Sequence, residues 1–362
     1  MKSSKYHLVA ASTLIVAIFL CLTSLIVAKT TRETIELAEN YLLTSQNRDG
    51  GWPLLPGKDS DVEITALVMQ ALLVQGHGTG WTVINRGMDF LIKKQRSDGS
   101  WSGNTAHTIF VLTTLHLGQR DPKVREKGLT WLSEAQNSNG SWGKQLNQPG
   151  NVLYTGAVLS GLRYLVTSKY TPITKSSDCL ANQINPIDGY GWSMKRGTKS
   201  DVIATSWVLQ GISLVYDVNV QLAWLKQQQN QDNGFPLGKG KPSDPEITAY
   251  AILALVACQD QLNTDKLAIG YLKNMQQEDG SFVSQLPIEL NIPKANLQTI
   301  RCSSSFVCQK HQKLFSCGVI KITICQLKTE GLILFMETWY RHFYPGPRQL
   351  GSRDCQRKTD QR

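Results

Sequence analysis

Six copies of one short pattern punctuate the chain between residues 46 and 282. Three read Gln46-Asn-Arg-Asp-Gly-Gly-Trp52, Gln95-Arg-Ser-Asp-Gly-Ser-Trp101 and Gln136-Asn-Ser-Asn-Gly-Ser-Trp142. A degenerate copy runs from Gln183 through Asp188-Gly-Tyr-Gly-Trp192. Gln229-Asn-Gln-Asp-Asn-Gly-Phe235 and Gln276-Gln-Glu-Asp-Gly-Ser-Phe282 follow. The glutamines lie 49, 41, 47, 46 and 47 residues apart. A period of this size marks one supersecondary unit that buries its apolar face only against copies of itself.

Each copy follows a segment whose apolar residues recur at three- and four-residue steps, the signature of an amphipathic helix. The Asp/Asn-Gly pair is expected to stop that helix, since Gly tolerates the left-handed conformation of a helix end. The aromatic can fold back over the turn, and the Gln can reach backbone groups of a neighbouring helix. A second helix is expected after each turn. Its start repeats as Asp61-Val-Glu-Ile-Thr65, Asn104-Thr-Ala-His-Thr108, Asn151-Val-Leu-Tyr-Thr155, Asp201-Val-Ile-Ala-Thr205 and Asp244-Pro-Glu-Ile-Thr248. Asp and Asn are favoured N-caps because the side-chain oxygen accepts from free N–H groups of the first turn. These second helices are apolar nearly all round, so they belong inside. The expected fold is all-α: an α/α toroid of about six helix-pair repeats over residues 30–300.

The repeated Gln-x-x-Asp-Gly-Ser-Trp between paired helices resembles the signature of squalene and oxidosqualene cyclases. It is also similar to the repeat of protein prenyltransferase β subunits. The resemblance covers residues 32–300 and implies inner helices around a central apolar cavity. In the cyclases the middle acid of Asp-x-Asp-Asp-Thr-Ala protonates a polyene. Matching Thr-Ala places Glu63 and Glu246 as the implied acids, with Asp61 and Asp244 as their partners. Ile64 and Ile247 replace the third acid of that motif. The competing reading is that each Asp caps a helix and each Glu favours its dipole. The cyclases use two such barrels and this chain has room for one, which makes its pattern an incomplete cyclase. In the prenyltransferases an Asp, a Cys and a His hold zinc; Asp201 matches the Asp, but Ile203 stands where the Cys would be. Neither a metal nor another cofactor is expected. Phe110, Tyr154, Trp207, Tyr250 and Asp201 are the candidate ligand-binding residues, and their aromatic surface suits an isoprenoid. A binding or interaction domain for an apolar small molecule or a protein partner is therefore the first expectation. A terpenoid cyclase acting through Glu63 or Glu246 is the second.

The ends differ from the middle. The formal charge of +10 comes from 38 Lys and Arg against 28 Asp and Glu. Residues 1–29 hold Lys2, Lys5, Lys29 and no acid, while 301–362 hold eleven basic residues against four acids, so the intervening chain is neutral. That excludes a basic stripe for nucleic acid there. Residues 8–28 are uncharged and long enough to span a bilayer as a helix, with Lys2 and Lys5 favouring a cytoplasmic N-terminus. A transmembrane anchor or a cleaved signal would put the ring outside the cytoplasm, tethered or secreted. After Ile300 the apolar period breaks at Arg301-Cys-Ser-Ser-Ser. The basic, Cys-containing tail of 301–362 is expected to be an aberrant extension, and the sixth repeat to lack a clear second helix beyond Asn291 or Asn296.

Overall fold

The computed structural model describes residues 29–282 apart from 55, 166–170, 196, 214 and 260–263. Eleven helices fill most of this stretch. Six form an outer set: α1 (Thr31–Thr44), α3 (Thr82–Lys93), α5 (Pro122–Glu134), α7 (Thr171–Ala181), α9 (Asn219–Gln227) and α11 (Thr264–Met275). Five form an inner set: α2 (Val62–Gln75), α4 (Thr105–Leu117), α6 (Val152–Leu165), α8 (Val202–Ile212) and α10 (Pro245–Ala257). A two-residue ladder pairs β1 (Trp52–Pro53) with β2 (Ser60–Asp61) in the first connection. The fold is the helical toroid expected from the repeats.

Each repeated pattern builds the same joint. In the first copy α1 ends at Thr44, before Gln46, and a tight turn closes by Gly50 N–H donating to the Asn47 carbonyl at 3.0 Å. The Asp-Gly pair thus forms the turn beyond the helix rather than its stop; the helix is already capped at Ser45. Asp49 Oδ1 accepts from Gly51 N–H at 3.1 Å, and Asp98, Asn139, Asp232 and Asp279 do the same in their copies. The Trp52 indole N–H turns back to the Leu42 carbonyl at 2.8 Å. Trp101, Trp142 and Trp192 bind Leu91, Leu132 and Leu180 in the same way. All four indoles are buried, so each covers apolar surface while supplying a donor to a helix end that needs one.

The Thr shared by the inner helices has a definite task. Its hydroxyl accepts the backbone N–H of the aromatic: Trp52 from Thr65 at 2.8 Å, Trp142 from Thr155 at 3.0 Å, Phe235 from Thr248 at 2.8 Å. Trp101 pairs with Thr108 and Trp192 with Thr205. An N–H buried at that point would otherwise be unsatisfied.

The glutamines carry the chain of outer helices around the ring. Gln46 Nε2 donates to the Val83 carbonyl at 2.9 Å, Gln95 to Val124 at 2.9 Å and Gln229 to Thr264 at 3.3 Å. Gln136 reaches the Ser176 hydroxyl at 2.9 Å. Gln276 then donates to the Thr34 carbonyl of α1 at 2.8 Å, across 242 residues, and closes the outer ring. Gly280, at φ +86°, seats that last turn directly on the Leu37 carbonyl, where any Cβ would collide. The degenerate fourth copy departs from the rule: Gln183 donates to the Cys179 sulfur of the preceding helix, α7. Inside, α2 packs on α4, α4 on α6, α6 on α8 and α8 on α10. Helices α6 and α8 approach closely because Gly156 lies against the Trp207 backbone, where a Cβ would sit 3.0 Å from its carbonyl carbon.

Among the described residues no helix is long and apolar enough to cross a membrane. The expected anchor at 8–28, the sixth inner helix and the tail at 301–362 all lie outside the described residues.

Candidate functional site

Every inner helix begins just after its turn, so the five N-termini share one end of the ring. Each is capped as expected. Asp61 accepts from Ile64 N–H at 3.0 Å, Asn104 from Ala106 at 2.9 Å and Asn151 from Leu153 at 2.8 Å. Asp244 accepts from Glu246 and Ile247 N–H at 2.8 and 3.3 Å. Asp201 accepts from Ala204 at 2.8 Å and from Met194 at 2.6 Å, and burial raises its carboxyl above the ordinary range. The three Asp side chains are thus spent on backbone N–H groups. Among the described residues no group of three or more His, Cys, Asp and Glu is placed to hold a metal ion.

Glu63 and Glu246 stand two positions after their caps, Asp61 and Asp244. Burial, then the charges of Asp244 and Glu63, push the Glu246 carboxyl up to about 8, although a hydrogen bond from Tyr250 opposes the rise. Its surroundings therefore favour the protonated, uncharged form. Tyr250, one turn along α10, is raised well above its usual value by burial and then by Glu246 and Glu63. Tyr154 on α6 is raised by burial and by Glu63. Residues from α2, α6 and α10 thus act on one another across the ring, with Glu63 common to all three effects. Sequence reasoning passed over His107. Its Nε2 lies 3.3 Å from Glu63 Oε2, and its buried Nδ1 has no hydrogen-bond partner among the described residues.

The aromatics lie alongside. Phe110 of α4 stacks on Trp207 of α8, with centroids 5.7 Å apart and planes 29° apart. Trp207 in turn meets Tyr250 at 5.3 Å and 47°. Phe110 is buried, whereas Trp207, Tyr250, Tyr154 and Glu246 keep part of their surface open despite lying on inner helices. These four side chains are thus only partly covered within the inner layer of the ring. A separate cleft of about 570 Å³ opens beside α1 and the first turn, between Tyr41, Leu54, Ile64 and Val68; the aromatic row does not line it.

The raised Glu246 carboxyl gives a stability prediction with a definite sign. In the unfolded chain the group ionises near 4.5, in the folded chain near 8. Between those values the native state binds more protons, so stability falls as pH rises through the window and levels off beyond it. Denaturation midpoints between about pH 5 and about pH 8 should show this fall for the wild type. Glu246→Gln should flatten it; an unchanged slope would mean that Glu246 is not the group responsible.

Comparison with known proteins agrees with this architecture. Residues 54–161 match the squalene-hopene cyclase C-terminal domain, 5–81 its N-terminal domain, and 198–307 the prenyltransferase alpha-alpha toroid domain. Each of the three stretches is less than half of the chain, and together they show its similarity to the squalene-hopene cyclase and prenyltransferase toroid domains. Drimenyl diphosphate synthase of Streptomyces showdoensis is 28% identical over 173 residues, which are 44% of this chain and 32% of that protein. Its counterpart in Streptantibioticus cattleyicolor is 29% identical over 175 residues, again 44% and 32%. The chain thus spans about a third of the length of the curated relatives it matches. A variant of the type II terpene cyclase MstE from Scytonema, in complex with geranylgeranyl dihydroxybenzoate, superposes with a TM-score of 0.60 at 14% identity. The match covers 81% of this chain and 96% of that one. A glycosidase in complex with glucose superposes at 0.56 with 12% identity, covering 82% and 96%, so the fold by itself does not choose a chemistry.

Proposed function

We propose that the ring binds an apolar isoprenoid chain in its internal space, against the Phe110–Trp207–Tyr250 row and with one end at Glu246. The observation that carries this reading is the row of aromatic faces Phe110, Trp207 and Tyr250, which ends one turn along α10 from the Glu246 carboxyl. Aromatic surface gives a polyene a large apolar contact and a π face. A neutral acid adds a hydrogen-bonding group without requiring the ligand to desolvate a charge. The uncharged stretch at 8–28 supports a ring tethered to a membrane and lying outside the cytoplasm, close to where such a ligand dissolves.

Cyclase-type proton transfer is the second reading, favoured by the same neutral Glu246 and by His107 beside Glu63. In that step the carboxyl O–H breaks and a C–H bond forms on a ligand alkene. A carboxylate and a carbocation remain, and the aromatic faces stabilise the positive charge. Loss of a proton from the cyclised product back to the carboxylate restores the acid. The full chain incubated with squalene or geranylgeraniol, followed by lipid extraction and mass spectrometry, separates the readings. Proton transfer predicts a cyclic isomer, lost by a factor of about 100 or more in Glu246→Gln or Glu63→Gln. Retained but unconverted isoprenoid supports binding alone. Failure to retain any isoprenoid would leave the competing proposal, a protein partner.

A further inference from the structure

We propose that the uncharged N-terminal stretch supplies the sixth inner helix of the ring, with residues 14–26 seated between α10 and α2. A helix apolar all round belongs either in a bilayer or in a protein interior. Length alone admits the tether described above; the layout of the ring favours the interior. The isoprenoid reading does not depend on which of the two holds.

The seat lies beside α1. Each of α3, α5, α7, α9 and α11 packs on the inner helix just before it in the chain. Helix α1 is the sixth outer helix, and no inner helix precedes it among the described residues. The inner helices pack in order from α2 to α10, while α10 and α2 are not a packed pair among the described residues. On this side of α2 opens the cleft of about 570 Å³, lined by Tyr41 of α1, Ile64 and Val68 of α2 and Asp279 of the sixth turn. Ile64 and Ile247 each stand three residues after their caps. Ile247, on a helix that packs against α8, is 1% exposed, whereas Ile64 is only partly covered.

Spacing selects the occupant. The caps Asp61, Asn104, Asn151, Asp201 and Asp244 precede the next outer helix by 18 to 21 residues. Thr13 stands 18 residues before Thr31, and Thr is a favoured N-cap. From that cap, residues 14–26 have the length of α4, and 27–30 the length of the connection from α4 to α5. Phe110, Trp207 and Tyr250 lie six residues after their caps, and Phe19 lies six after Thr13, which would extend the aromatic row. Ten residues after the caps stand Ala71, Thr114, Gly161, Gly211 and Ala254, all small and buried. A Cβ on Gly211 would sit 2.8 Å from Leu159 Cβ, so neighbouring helices approach closely at this level. Thr23 takes that place in the stretch. The match at 5–81 to the squalene-hopene cyclase N-terminal domain also takes in these residues. The segment after the sixth turn fits less well. Asn291 lies nine residues past Phe282, as Asp244 does past Phe235, but ten residues beyond it stands Arg301.

Site-specific photocrosslinking tests the seating. The full chain carries p-benzoylphenylalanine in place of Phe19, is irradiated in intact cells, and its adducts are mapped by mass spectrometry. Adducts with α2 or α10 of the same chain are expected. Adducts only with lipid, as a tether requires, or only with a second copy or another protein, would overturn the seating. Ile18, five residues after the cap, falls where Ala66, Ile109, Gly156, Ser206 and Ala249 are buried. Ile18→Asn should therefore lower the urea midpoint of the full chain, and Ile18→Val should restore most of it. An unchanged midpoint in Ile18→Asn would also contradict the seating. Loss of isoprenoid retention with the adducts intact would sink the isoprenoid reading and leave the seating in place.

Discussion

Trp142→Ala should be among the most destabilising single changes in the chain, lowering stability by about 3–5 kcal/mol. Trp142 is fully buried, and donates its indole N–H to the Leu132 carbonyl at 2.8 Å and its backbone N–H to the Thr155 hydroxyl at 3.0 Å. Truncation opens a cavity and strips a donor from the end of α5 at the same time. The repeat supplies its own control, because Phe235 and Phe282 fill the equivalent position in the fifth and sixth copies without an indole N–H. Trp142→Phe should therefore cost only about 1–2 kcal/mol, mostly the lost hydrogen bond. Urea midpoints of the two variants and the wild type check both values. Equal losses for Ala and Phe would mean that the donor matters and the ring volume does not.

Trp207→Ala should act mainly on binding. Trp207 is only partly buried and its ring lies against both Phe110 and Tyr250, so its removal breaks the middle of the row. A central aromatic anchor is worth about 2 kcal/mol or more, which predicts a loss of isoprenoid affinity of roughly 30-fold or more. Trp207→Phe should recover most of it. Affinity by titration and stability by denaturation, measured on the same variants, separate this from simple core filling. A large stability loss with unchanged affinity would assign Trp207 to the core alone.

The toroid was legible in the sequence because its determinants are local and repeated. Gln46, Asp49, Gly50 and Trp52 lie within seven residues, and four of the other five copies keep the step from Gln to the aromatic. The caps Asp61 and Asp244 were legible for the same reason. The task of Thr65 and its equivalents was not, since the N–H it holds lies 13 residues upstream and no side-chain pattern marks a backbone donor. The site was half legible. Phe110, Trp207 and Tyr250 share one offset from that Thr, which predicts a common layer, and they do form one row. His107 occupies the same offset as Tyr154, directly before the Thr, so the signal that singled out Tyr154 could also have found it. What no spacing could reveal is that Glu63 and Glu246, 183 residues apart, raise the same protonation equilibrium. Their proximity depends on how far the ring turns between α2 and α10. The neutrality of Glu246 depends in addition on burial.

Photolabelling with an isoprenoid carrying a diazirine, followed by peptide mapping, tests most directly whether the interior is the binding site. The account predicts adducts on α8 and α10, around Trp207 and Tyr250, that excess unlabelled isoprenoid prevents. Competed labelling confined to the outer helices, with α4, α8 and α10 unmarked, would contradict it.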